Sequence, residues 1–161
     1  KKRFLRYADY QSKTVEDIFS PQQREGAIKH DAYVLESSVF YNHGGHFSRK
    51  SLPTEVQLSP VQTIKVQDMN NDGQLDLLLG GNFRGAKPEV GQYNASYGAL
   101  LVNQGENWKV VSASESGLSV EGEVRHWALL PRTEDTLWVA VKNNGPLGIF
   151  KKESQNTLLN K

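Results

Sequence analysis

The stretch that decides the fold runs from Val61 to Asn82: Val61-Gln-Thr-Ile-Lys-Val-Gln67, then Asp68-Met-Asn-Asn-Asp-Gly-Gln-Leu-Asp76, then Leu77-Leu-Leu-Gly-Gly-Asn82. In the first part Val61, Thr63 and Lys65 alternate with Gln62, Ile64 and Val66, a strand-like pattern. The last part is a short apolar run closed by glycines, which reads as a buried strand. Between them Asp68, Asn70 and Asp72 place oxygen side chains at every second position, followed by Gly73 and Asp76. A tight loop with this spacing turns several hard oxygen donors toward one centre, as calcium requires. Gly73 falls where the chain must turn sharply, and the Gln74 carbonyl is placed to add a ligand. Three carboxylates this close repel one another without a cation. The expected arrangement is strand, calcium loop, strand, with Asp68, Asn70, Asp72, Gln74 and Asp76 as ligands and Ca2+ as the one cofactor. A metal-free Asn-Asp-Gly hairpin is the alternative reading of the same residues.

This is not an EF-hand. That motif needs a bidentate Glu at its twelfth position and flanking helices, whereas the twelfth residue from Asp68 is Leu79.

Composition narrows the rest. A chain of 161 residues can bury a core and suits one domain, here 1–161. A net charge of +1 gives no electrostatic case for nucleic acid, and the basic run Lys1-Lys2-Arg3 reads as a solvated end. No stretch approaches the roughly 20 apolar residues of a membrane span. With zero cysteines there are no disulfides, thiolate metal sites or cysteine nucleophiles. The first residue is not Met, so the expectation is a piece of a longer precursor.

Two segments resemble each other. Ser38 to Phe47 lines up with Ala99 to Trp108, the asparagines Asn42 and Asn103 standing 61 residues apart. Leu77 to Asn82 likewise matches Val139 to Asn144 at a distance of 62. Such a period predicts repeated β-units, of which propeller blades are the usual case. At that distance Asp68, Asn70, Asp72 and Asp76 meet Leu130, Arg132, Glu134 and Trp138, so one metal loop is expected and not two.

The N-terminal part differs. Thr14 with Asp17 reads as a near capping box, and Pro21 as the first residue of a second helical turn. The expected layout is a helical entry over 1–32, a first repeat with the calcium loop over 33–96, a metal-free repeat over 97–151 and a polar tail over 152–161. The long segment from Gly80 to Tyr97 is of a length that binds something or covers a surface. Tyr93 and Tyr97 within it are candidate ligand-binding residues for a sugar or peptide.

The Asp-x-Asn-x-Asp-Gly-x-x-Asp loop resembles FG-GAP/VCBS repeats, those of integrin alpha-subunit propellers and bacterial surface proteins. Phe4 to Tyr10, Val15 to Phe19, Gly80 to Phe83, Tyr93 to Gly98 and Glu115 to Leu118 resemble more closely the C-terminal part of large Bacteroidetes envelope proteins of the UnbV/cartilage-acidic-protein group. The resemblance implies propeller blades with calcium held by Asp68, Asn70, Asp72, the Gln74 carbonyl and Asp76. It also implies a non-catalytic, extracytoplasmic binding role in the bacterial envelope. A full propeller needs at least four blades, and this chain supplies about two and a half repeats.

The expectation is therefore an all-β fold of antiparallel, propeller-like blades, a partial propeller with a short helical N-terminal segment. Its expected function is that of a calcium-stabilised interaction or glycan-binding module of a larger cell-envelope protein, with a protein or glycan partner and the remaining blades of the parent. Two other classes stand beside it. A carbohydrate-active hydrolase could draw on Asp9, Glu16, Asp17 or Glu36, or on carboxylates in the Gly80–Tyr97 loop region, but capping and surface carboxylates are commoner. Purely structural blades would leave an apolar edge exposed. His43-Gly44-Gly45-His46 reads as a polar turn and not a metal pair, since Gln104 and Asn107 stand at the matching places. The tryptophans Trp108, Trp127 and Trp138 are expected in the core.

Overall fold

The computed structural model describes residues 4–151. Lys1-Lys2-Arg3 and the expected tail 152–161 lie outside the described residues. The chain divides into two compact units, Lys1–Leu35 and Glu36–Lys161.

In the first unit three single helical turns follow one another: α1 (Tyr7–Tyr10), α2 (Val15–Ile18) and α3 (Pro21–Arg24). Thr14 caps α2 in a capping box with Asp17, as its spacing predicts. Ser20 caps α3 in a box with Gln23, and Pro21 takes the first helical position, where its missing N–H costs nothing.

The second unit is built of three antiparallel sheets. Strands β1 (Ser38–Asn42) and β2 (Phe47–Ser51) form a hairpin, followed by the 3-10 turn Thr54–Gln57. Strands β3 (Val61–Gln67), β4 (Asp76–Gly81), β5 (Ala99–Asn103) and β6 (Trp108–Val111) make a four-stranded meander in that order. After a capped turn, α4 (Ala113–Ser116), strands β7 (Glu123–Pro131), β8 (Thr136–Asn143) and β9 (Gly148–Lys151) make the third sheet. The fold is all-β with short helical turns, and no sheet among the described residues closes on itself.

The middle sheet is apolar on both faces, because its run Leu77-Leu78-Leu79 alternates sides. Leu77, Leu79 and Leu101 pack with Leu52, Val56 and Val39 from the β1–β2 side. Leu78, Leu100 and Val102 face the other way, onto Val124, Trp127, Trp138 and Ala140 of the third sheet. Trp127 and Trp138 thus lie in the core, while half-buried Trp108 donates its indole N–H to the Tyr41 hydroxyl at 2.9 Å.

Gly80 and Gly81 are dictated by this packing. A Cβ on Gly80 would stand 2.7 Å from Val124 Cγ1, and one on Gly81 would stand 2.0 Å from the Pro60 carbonyl oxygen.

Matching segments are built alike. The β1–β2 and β5–β6 hairpins both close on an N–H···O bond of 2.8 Å, His43 to His46 and Gln104 to Asn107. Gly44 and Gly105 take left-handed φ angles of 69° and 78° at the same place in the two turns. The His43 and His46 rings stack at 5.2 Å, and His43 Nε2 lies 2.7 Å from Ser48 Oγ.

Register corrects one alignment. A bulge interrupts β3 between Val61 and Thr63, opposite Gly81 and Gly80. A bulge interrupts β7 between Val124 and His126, opposite Lys142 and Val141. Val61 to Val124 is 63 residues but Gly81 to Lys142 is 61, so the second hairpin is two residues shorter. Leu137, and not Trp138, therefore stands where Asp76 does, and Trp127 and Leu129 stand where Ile64 and Val66 do.

Candidate functional site: the Asp68–Asp76 loop

The loop leaves β3 at Gln67 and re-enters β4 at Asp76, which face each other across the ladder. Its path is set by its own side chains. Asp68 Oδ1 accepts the N–H groups of Asn71 and Asp72 at 2.7 and 3.2 Å, and Asp68 Oδ2 accepts that of Gly73 at 2.9 Å. Asn70 Oδ1 accepts the N–H of Asp72 at 3.0 Å, and Asp72 Oδ1 accepts the N–H of Gln74 at 2.8 Å. Asn71 and Gly73 take φ angles of 64° and 86°, and open space surrounds the missing Cβ of Gly73. Gly73 is thus required by backbone conformation and not by crowding.

Burial opposes the Asp68 charge, but the N–H donors of Gly73, Asn71, Asp72 and Asn70 outweigh it and hold its carboxyl below the ordinary value.

Asp76 is fully buried. Its Oδ2 accepts the N–H of Met69 at 2.8 Å and its Oδ1 that of Asn103 at 2.9 Å, which ties the loop's entrance to the end of β5. The Asn103 amide adds a bond to the Leu75 carbonyl at 3.2 Å. Gln74 joins the network through its N–H.

The donor set suits a hard cation in kind: three carboxylates, an amide and a carbonyl, all oxygen. No Lys or Arg among the described residues pairs with Asp68, Asp72 or Asp76. An ionised carboxylate offers about four lone-pair sites, and Asp72 and Asp76 each use two here, Asp72 Oδ2 taking the Asn70 amide at 2.8 Å. The side chains are aimed at their own loop's donors, and no group of three or more His, Cys, Asp or Glu among the described residues is gathered on one point.

The matching hairpin of the third sheet is closed by charge. Arg132 donates from Nε and a terminal nitrogen to the two oxygens of Asp135, both at 2.7 Å, and Lys151 Nζ stands 2.8 Å from Asp135 Oδ2. Arg132 and Lys151 lower the Asp135 carboxyl to about 2.

The second candidate region is the loop after β4. Phe83 and Tyr93 bond reciprocally through their backbones at 2.8 and 2.9 Å, and the Tyr93 and Tyr97 side chains are exposed. Sequence reasoning missed the residue that holds this loop. Asn82, buried at φ 78°, donates its amide to the carbonyls of Ser96 and Gly122 at 2.7 and 2.8 Å. Its Oδ1 accepts from the Ser59 hydroxyl at 2.7 Å and the Ser96 N–H at 3.0 Å. The signal was an Asn directly after Gly-Gly, since Asn is the residue after Gly that best tolerates positive φ.

Three of the carboxylates that a hydrolase could draw on have ordinary structural partners. Glu16 lies 3.6 Å from Arg24, Asp17 caps α2, and Glu36 is held by Ser51 and Arg49.

Among the described residues no helix is long and apolar enough to cross a membrane. No protein-family model, curated protein or solved structure matches the chain.

Proposed function

We propose that the chain is a run of β-propeller blades whose Asp68–Asp76 loop binds one structural calcium ion, and that it serves as a non-catalytic, extracytoplasmic interaction or glycan-binding module of a larger envelope protein. The observation that carries this reading is the loop itself. Three backbone N–H groups of the loop converge on the Asp68 carboxylate, and Asp68, Asn70, Asp72 and Asp76 fall within one nine-residue stretch whose acids have no Lys or Arg partner among the described residues. Asp68, Asn70, Asp72, the Gln74 carbonyl and Asp76 would hold the ion, which when bound cancels their charge and cross-links the two ends of the hairpin. The chain's own part is to pre-wind the loop through Asp68 and to anchor it through Asp76.

Two further observations support blades. The four-stranded meander is sandwiched between two other sheets, and corresponding faces of consecutive sheets point the same way.

The test is Asp72→Ala. Because Asp72 is exposed and bonds only within the loop, the variant should melt like the parent in chelator and lose most of the calcium-induced rise in Tm. Equal losses with and without calcium would sink the metal reading.

A further inference from the structure

Among the described residues the three sheets hold two, four and three strands. In the middle sheet β5 pairs on one side with β6 and on the other with β4, and the inner hairpin β3–β4 lies against β7. That hairpin helps bury Trp127 and Leu129. In the first sheet β1, the match of β5, pairs among the described residues with β2 alone, and no described strand lies along its other edge. The residues standing where Trp127 and Leu129 do are Ile64 and Val66, and they are 58% and 50% exposed. They share a face with Leu79 and Leu77, which Leu52 and Val56 cover. Val39 of β1 packs with Leu77 and Leu79, which stand opposite Val66 and Ile64, so the unpaired edge and the exposed apolar pair adjoin; in the next sheet the β3–β4 hairpin, which lies against β7, occupies the equivalent spot.

We propose that the unpaired edge of β1 together with Ile64 and Val66 docks a two-stranded antiparallel β-hairpin of the β3–β4 kind, supplied by polypeptide outside this chain. Its second strand pairs antiparallel to Ser38–Asn42, as β4 pairs with β5, and its apolar side chains cover Ile64 and Val66. Main-chain bonds to β1 supply affinity, and the alternation of apolar side chains supplies register. The inference rests on the blade reading above and is independent of calcium.

The probe is a synthetic peptide of residues 59–82, closed by a disulfide between added terminal cysteines, titrated into the full chain with calcium and again with chelator. The expected result is saturable one-to-one binding, slowed amide exchange over Ser38–Asn42, and at least a tenfold weaker affinity for Ile64→Glu. Ile64 is exposed, so this variant should keep the parent's Tm and circular dichroism. No binding up to about 0.1 mM, or binding indifferent to Ile64→Glu, would overturn the proposal. So would self-association of the chain alone that Ile64→Glu abolishes, since a second copy would then own the surface. Peptide binding without any calcium response would sink the metal reading and leave this one standing.

Discussion

Asp72 and Asp76 are both acids of one loop, yet their surroundings assign them different work. Asp76 is fully buried and holds the N–H groups of Met69 and Asn103. Removing it strands two donors in an enclosed place, so Asp76→Ala should cost about 2–4 kcal/mol in chelator and more with calcium, whose ligand set it also completes. Chemical denaturation in chelator checks this, and a loss confined to calcium-containing buffer would show that the two bonds carry no weight. The sequence names both residues as ligands because spacing speaks of reach and is silent on burial. Asn82 was illegible for the converse reason. Its four side-chain bonds go to Ser59, Ser96 and Gly122, partners that only the folded chain brings together.

Among elements, the hairpins were the most legible. Val61–Gln67 alternates, Leu77–Gly81 is continuously apolar, and both became strands of the middle sheet. The Thr14 and Pro21 signals placed α2 and α3, because caps act over three residues and need no tertiary context. The bulges in β3 and β7 were not legible, and they shift the match between repeats by one residue in each strand. The glycines of β4 offer a direct test of how tightly the sheets stack. Gly80→Ala should destabilise by about 1–3 kcal/mol, since Val124 and Trp127 must move, and Gly81→Ala by more, because its obstacle is backbone. Neutral behaviour of either variant in urea would contradict that packing. The β7–β8 turn predicts a pH effect. The Asp135 carboxyl lies at about 2, against an ordinary 3.8, so its stabilising contribution is full above the ordinary value and fades as pH falls toward 2. Asp135→Asn should therefore flatten the acid limb of a plot of Tm against pH; an unchanged limb would mean that the ion pairs with Arg132 and Lys151 are idle.

At the scale of the second unit, three antiparallel sheets join through two shared apolar clusters and one hairpin carries a loop rich in acid; the function proposed above reads these sheets as blades and that loop as their reinforcement. The period of the sequence pointed to repeated β-units, while the uneven strand numbers of the sheets could be counted only from the pairing itself. The most direct test of the account is a calorimetric titration of calcium into chelator-treated protein, followed by melting of the same samples. Saturable binding at one site per chain and a raised Tm are expected. No heat and no shift would contradict this and leave Asp68–Asp76 a metal-free hairpin loop.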